Sequence, residues 1–317
     1  MKKELIVHRK PKSPNSEIFR TLRTNIQFMN TDRKLKTLLV TSTFPGEGKS
    51  WVSSNLATTF AQAGKKCILI DADMRKGRLY SIFGISPKPG LSNFLSEARI
   101  DRNGEISISS VDYIQQTDVD NLYVITAGNV PPNPSELLVS AQMMKLLDEL
   151  KGVFDIVIID GTPCELVTDS IILSRIVDSC IIVAAHKITK KETLNKVIKN
   201  IKSVGGNLAG VVLNKVPVSK KQTQYYYYGE SRNSSIQNKF NKPKDDFFRG
   251  NHKENEEDDF KKDSNIKMQN LVDYNKKPDS KQNNDRETYK NATEEFLKKK
   301  EKIMRQINSY MDEDKRK

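Results

Sequence analysis

The stretch Thr41-Ser-Thr-Phe-Pro-Gly-Glu-Gly-Lys-Ser50 constrains this chain more than any other. An apolar run, Leu38-Leu-Val40, precedes it, and a helical pattern from Val52 to Ala63 follows. A strand, a glycine-bearing loop ending in Gly48-Lys49-Ser50 and then a helix form the layout of a P-loop. The backbone N–H groups of such a loop, with the helix N-terminus behind them, surround phosphate oxygens. Lys49 then reaches the β- and γ-phosphates, and the Ser50 hydroxyl ligates Mg²⁺. Thr43 stands where the pattern G-x-x-x-x-G-K-[ST] has its first glycine, and a small residue there still serves the turn. The ligand implied is a nucleoside triphosphate with Mg²⁺. Pro45, Gly46, Glu47, Gly48, Lys49, Ser50 and Trp51 are the expected contact run.

Apolar runs of strand length recur along the chain, at 37–41, 66–70, 122–126, 156–159, 180–184 and 210–213. They are continuous and not alternating, as in strands covered on both faces. Helical patterns lie between them, at 16–29, 50–63, 91–97, 135–150, 169–176 and 190–204. Pro134-Ser135-Glu136 is a helix start, and Gly205-Gly206 a helix stop. Alternating elements predict an α/β fold of the P-loop NTPase kind, a mostly parallel sheet with helices on both faces. Ligands then bind outside the carboxyl ends of the strands. Residues 98–121 are polar and aperiodic, and read as a long loop or a local insertion.

The composition divides the chain in two. Residues 1–228 hold most of the aliphatic runs and are expected to form the catalytic domain. Residues 229–317 hold 22 Lys and Arg against 19 Asp and Glu, with few aliphatics, so most of the net charge of +13 lies on the first part. The second part reads as a disordered charged tail, because it lacks the apolar surface that offsets ordering entropy. Within it, Phe296, Ile303 and Tyr310 recur at seven-residue spacing, beside Leu297, Met304, Ile307 and Met311. That spacing allows an amphipathic helix over 287–311, either solvated or a docking segment.

Positive charge suits a nucleotide, a nucleic acid or an anionic membrane face. The aromatic-basic interleaving of a nucleic-acid surface is missing, so no nucleic acid is expected. Cys67, Cys164 and Cys180 each lie in or beside apolar runs and read as reduced, buried thiols. His8, His186 and His252 share no metal-ligand spacing. No apolar run reaches the length of a membrane span, so membrane attachment would need another protein.

Two strand ends carry acid. Ile68-Leu-Ile-Asp71-Ala-Asp73-Met-Arg75 places two carboxylates after one buried strand, and Ile156-Val-Ile-Ile-Asp160 a third after another. A carboxylate at the end of an apolar strand is costly without a partner. Mg²⁺ on nucleotide phosphates is such a partner. Of Asp71 and Asp73, one would hold the metal or its water and the other would deprotonate an incoming hydroxyl.

After the last strand comes a basic pair, Lys220-Lys221, and then Tyr225, Tyr226, Tyr227 and Tyr228 in succession. Four consecutive tyrosines cannot all be buried, because neighbours point in different directions. Behind a phosphoryl-transfer site they read as a tethered array of acceptor hydroxyls. On the P-loop, Asp71-Ala-Asp73-Met-Arg75, Asp160 and this cluster, residues 10–228 resemble the bacterial tyrosine kinases that regulate capsule and exopolysaccharide synthesis. The helix motif Glu17-Ile-Phe-Arg20-Thr-Leu-Arg23 belongs to the same resemblance.

The resemblance implies that Lys49 and Ser50 bind ATP phosphates and Mg²⁺, that Ser50, Asp73 and Asp160 hold the metal and its waters, and that Asp71 acts on the tyrosine hydroxyl. Asn214 would contact the adenine, and Asp169 would help order the site. Glu17, Arg20 and Arg23 would build a ring-shaped homo-oligomer in which the tail of one subunit enters the site of the next. Protein tyrosines are the substrates. Phosphorylation would occur in trans, and the charge it adds would loosen the ring. Without a membrane span the chain resembles the split form of the family. That form is cytoplasmic, held at the inner face of the membrane and activated by the cytoplasmic tail of an adaptor.

Two features depart from the family. The usual D-T-P-P reads Asp160-Gly161-Thr162-Pro163-Cys164, with Gly161 as an inserted residue that alters the approach of Thr162 and Pro163. About ninety residues follow the tyrosines, and they bring further acceptors, Tyr274, Tyr289 and Tyr310. Two other functions compete. One is a switch ATPase of the cell-division or partitioning type, which carries a second lysine early in the loop where this chain has Phe44. The other is a catalytically weak nucleotide-binding scaffold for polysaccharide export.

Overall fold

The computed structural model describes residues 4–29, 35–102 and 106–217. The tyrosine cluster and the 287–311 segment lie outside the described residues. In chain order the elements are α1 (Ile6–Arg9), α2 (Pro14–Phe28), β1 (Thr37–Ser42), α3 (Lys49–Gln62), β2 (Cys67–Asp71), α4 (Leu79–Phe83) and α5 (Leu91–Glu97). A 3₁₀ turn at Ser110–Tyr113 leads to β3 (Gln115–Gln116) and β4 (Leu122–Ile125). Then come α6 (Pro134–Val139), α7 (Ala141–Val153), β5 (Ile156–Pro163), α8 (Asp169–Ser174), β6 (Ser179–Ala185), α9 (Lys191–Ser203) and β7 (Leu208–Asn214).

The strands form one sheet in the order β3-β4-β2-β5-β1-β6-β7. Every pairing is parallel except β3 with β4. All six residues of β1 are buried, as its unbroken apolar character requires. Its side chains alternate between two cores. Leu38 and Val40 join Val52, Leu56 and Phe60 on one face of the sheet. Leu39 joins Ile159, Leu146, Leu150, Val197 and Ile201 on the other. A parallel sheet needs this double cover.

α3 is buried from Val52 to Ala61 because α1 and α2 cover the side that the sheet does not. Asn55 joins these layers. Its Oδ1 accepts from Val7 N at 3.1 Å, and its Nδ2 donates to Glu4 O and Trp51 O, both at 2.9 Å.

The sequence pattern differs from the structure in three places. The expected helix over 135–150 is two helices. Ser140 is extended and its Oγ accepts from Met143 N at 3.3 Å, so it ends α6 and caps α7. The polar 98–121 stretch contains β3, an antiparallel edge strand of two residues. α1 and α4 were not expected, since four or five residues are too few for a helical period.

Asn55→Ala leaves the Val7 amide and the Glu4 carbonyl without these partners. We expect a loss of about 2–3 kcal/mol in stability. Amide hydrogen exchange would show it first at Val7, ahead of the sheet.

Candidate active site

Residues of β2 and β5 stand side by side, and the register pairs Asp71 with Asp160. β1 lies on the other side of β5, so the P-loop leaving β1 rises next to both acids. Gly46 and Gly48 have φ of +80° and +99°, a region that favours glycine. Gly48 is the N-cap of α3, and a Cβ there would lie 2.2 Å from Asn214 Nδ2.

Glu47 does not face outward. Its side chain is buried, and its carboxylate accepts from Thr43 N at 2.7 Å, Phe44 N at 2.9 Å and Thr43 Oγ1 at 2.7 Å. Thr189, just before α9, also donates to it. Asn214 Nδ2 donates to the Glu47 carbonyl at 2.8 Å, and Asn214 Oδ1 accepts from Lys215 N. Glu47 thus staples the P-loop to itself and to the β6–α9 turn, while Asn214 ties it to the end of β7.

Lys49 is the first residue of α3, and its ammonium enters the acidic cluster. Nζ lies 3.0 Å from Asp73 Oδ2 and 3.7 Å from Asp160 Oδ2, and donates to Ser50 Oγ at 3.3 Å. Burial works against its charge, but Asp160, Asp73 and Asp71 together outweigh this and raise its pKa. Asp71 is fully buried, and its Oδ2 accepts from Arg78 N at 2.8 Å and Leu79 N at 3.0 Å. Burial and the charge of Asp160 push its pKa up to about 7, against the pull of the Leu79 amide and Lys49. An acid that ionises near neutrality is suited to accept a proton. Gly77 is needed here, since a Cβ would stand 2.9 Å from Asp71 Oδ2 and 2.5 Å from Ala127 Cβ.

Burial also raises the pKa of Asp160, with Lys49 opposing. Both of its oxygens are buried and accept no hydrogen bond in this structure, although Ser50 and Ser53 stand close enough to favour its charged form. Orphaned oxygens beside a P-loop serine fit a divalent cation. Among the described residues no three His, Cys, Asp or Glu side chains are arranged to hold a metal alone. That fits Mg²⁺, which takes one or two carboxylates, keeps waters and completes its shell with phosphate oxygens.

A second layer fixes the loop that carries Asp73. Arg75 Nε donates to Asp169 Oδ2 at 3.1 Å and Nη2 to Oδ1 at 3.4 Å. Asp169 is buried at the start of α8, and Ser135 Oγ of α6 also donates to it, at 2.5 Å. Ser135 is marked in the sequence only as part of a helix start, and Thr189 carries no signal of its own. Gly161 lies within β5 at a register shift against β1. Its hydrogen faces Ser170, where a Cβ would stand 2.3 Å from Oγ and 2.9 Å from Leu39 Cδ1. Ser170 Oγ accepts from Thr162 N at 2.7 Å and donates to Thr162 O at 2.8 Å. The departure at Gly161 is therefore accommodated by a pair, glycine in the strand and serine on the helix.

The remaining candidates lie elsewhere. The Trp51 ring packs edge-on against Phe19 of α2, with centroids 5.0 Å apart. Glu17 and Arg20 pair with each other at 2.6 Å on the exposed side of α2. Arg23 turns inward, and its Nη1 donates to Thr59 O at 3.0 Å in the last turn of α3, where a cation is favourable.

A basic P-loop lysine held among three carboxylates at the carboxyl ends of parallel strands defines a phosphate-binding site of the P-loop class. A family model described as an AAA domain matches residues 22–211. The chain is 42% identical over 226 residues to the putative tyrosine-protein kinase CapB of Staphylococcus aureus, covering 71% of this chain and 95% of that protein. It is 38% identical over 234 residues to the tyrosine-protein kinase YwqD of Bacillus subtilis, covering 74% and 94%. Its fold matches the crystal structure of the chimerical protein CapA2B2 with a TM-score of 0.63 and 38% identity, over 69% of this chain and 92% of that one. The chain belongs to the bacterial tyrosine-protein kinases.

Two outcomes follow for the site. Asp71 bears a pKa raised by folding, so its charge costs stability progressively as pH rises from about 4 to 7. Asp71→Asn is expected to gain thermal stability over the wild type, by more at pH 8 than at pH 4, in paired melts. Gly161→Ala should lose about 1–3 kcal/mol by overpacking, and Ser170→Ala should recover part of that loss in the double variant, measured by denaturant unfolding.

Proposed function

We propose that the site transfers the γ-phosphoryl group of ATP to the tyrosine hydroxyls of Tyr225, Tyr226, Tyr227 and Tyr228 in another copy of the chain. The observation that carries this is the charge cluster itself. Lys49 meets Asp73 and Asp160, and Asp71, directly opposite Asp160 in the register, ionises near pH 7.

The loop amides from Gly46 to Ser50 take the phosphate oxygens, and Lys49 turns to the β- and γ-phosphates. Mg²⁺, when bound, neutralises charge across the β- and γ-phosphates, and Ser50, Asp73 and Asp160 would hold it and its waters. Asp71 accepts the hydroxyl proton of the incoming tyrosine. The tyrosine oxygen bonds to the γ-phosphorus as the bond to the β-phosphate oxygen breaks, and ADP leaves. Phosphoryl transfer asks the protein for little beyond position, charge and a base. Asn214, at the P-loop and the end of β7, is the residue we assign to the adenine side.

The exposed Glu17 and the half-buried Arg20 suit contacts to a neighbouring subunit in a ring, and Arg23 supports them by fixing α2 on α3. No helix among the described residues is long and apolar enough to cross a membrane. We place the chain at the inner face of the cell membrane through an adaptor whose cytoplasmic tail activates it. The kinship with CapB supports a role in capsule or exopolysaccharide synthesis.

Phosphotyrosine mapping by mass spectrometry after incubation with ATP and Mg²⁺ tests the reading. Phosphate is expected on 225–228, and Lys49→Met should reduce it by about 10²–10³-fold. The rate should climb with pH through about 7 as Asp71 ionises, then level off. ATP hydrolysis with no phosphotyrosine, with or without an adaptor tail, would sink the reading.

A further inference from the structure

The segment from Ser179 to Pro217 holds β6, α9 and β7. It carries seven lysines, no arginine and a single acid, Glu192. Nearly half of the chain's net charge of +13 therefore lies on this one edge of the sheet. α9 buries Val197 and Ile201 against the sheet, with Leu194 and Ile198 packed beside them. At 100° per residue its outer side then carries Lys191, Lys199 and Lys202 within about 80° of one another. Lys196 lies on the far flank and pairs with Glu165 at 3.0 Å. More lysines join at the head of the helix. Lys187 and Lys190 precede it, and Lys215 follows β7. His186 N donates to Asn214 O at 2.8 Å, so the backbone sets Lys187 beside Lys215. Apart from Lys196, all of these lysines are exposed and none forms an ion pair among the described residues. Apolar side chains stand among them. Ile188, between Lys187 and Lys190 in the chain, is 62% exposed. Leu213 is 55% exposed and lies opposite Ala184, on the face of β7 that α9 covers.

Nucleic acids and acidic proteins are gripped through directed pairs, for which the planar fork of arginine is suited. This face has no arginine. Lysine is a hydrated point charge, at home in a field of anions without a fixed partner. Unpaired lysines with exposed apolar residues among them match an anionic bilayer. The ammonium groups meet the headgroups, and the apolar side chains enter the boundary below. We propose that the outer face of α9 and the corner of Lys187 and Lys215 rest directly on the anionic lipid surface of a membrane. This contact is the chain's own, in addition to any made through an adaptor. α9 joins two parallel strands, so it returns across the sheet and its axis runs against theirs. With α9 flat on the bilayer, the carboxyl ends of the strands open along the membrane and not into it. The Lys49 cluster then faces sideways, level with other copies held in the same way.

Sedimentation of the full chain with lipid vesicles tests this, with a readout that does not depend on phosphotyrosine. The chain is expected to pellet with vesicles of equal parts phosphatidylcholine and phosphatidylglycerol and to stay in solution with phosphatidylcholine alone. Rising salt should release it. A lysine close to an anionic surface raises partitioning roughly fivefold. Lys199→Gln with Lys202→Gln should therefore lower it by about 25-fold, and Lys199→Glu with Lys202→Glu by more. Both side chains are exposed, so neither pair alters the core. Lys88→Glu with Lys145→Glu makes the same change of net charge at exposed positions elsewhere, and should lower partitioning by no more than about threefold. A wild-type chain that does not pellet, or equal losses in the α9 and control pairs, would overturn the proposal. So would retention on a polyglutamate resin that needs Lys199 and Lys202 in a chain that ignores the vesicles, because the partner would then be an acidic protein.

Discussion

The ammonium of Lys49 is the group on which the rest of this structure depends. It is a largely buried cation among three buried carboxylates, at the point where α3 starts and three parallel strands end. Alone, each of these charges would cost several kcal/mol to bury. Together they offset one another, but not completely. Asp160 keeps two oxygens without a hydrogen bond, and Asp71 is left ionising near neutrality. That residual imbalance is the chemistry of the site. A fully satisfied cluster would have no reason to take a cation or a proton.

The scaffold holds this imbalance in place. Register pairs Asp71 with Asp160. Glu47, tied to Thr43, Phe44 and Thr189, fixes the shape of the P-loop. The Arg75 clasp on Asp169 and Ser135 fixes the loop that bears Asp73. None of these three devices touches the reacting atoms. Each limits where the charged groups can move, which is how a site is preorganised.

Much of the fold could be read from the sequence because buried parallel strands are written as unbroken apolar runs, and six of seven were. β3 escaped because two glutamines at a sheet edge have no apolar signature. The division of α6 from α7 escaped because Ser140 sits in a continuing helical period and its capping role depends on local backbone shape. The charged core of the site was legible, since Asp71, Asp73 and Asp160 follow apolar strands and Lys49 follows a glycine loop. Direction was not. Glu47 was placed among the nucleotide contacts by its position in the loop; its carboxylate points back to the amides of Thr43 and Phe44, which the pattern did not foretell. Arg23 was placed on an oligomer face, yet it caps α3, whose end could not be located from the pattern of α2 alone.

The most direct test of the central claim is a single-turnover measurement of ADP and phosphotyrosine formed together on the purified full chain with ATP and Mg²⁺. If the Lys49 cluster passes phosphate to tyrosine, the two products should appear at the same rate and in a ratio near one. ADP that accumulates while phosphotyrosine stays absent would mean that water, and not a tyrosine, takes the phosphate, and the account of this site would be wrong.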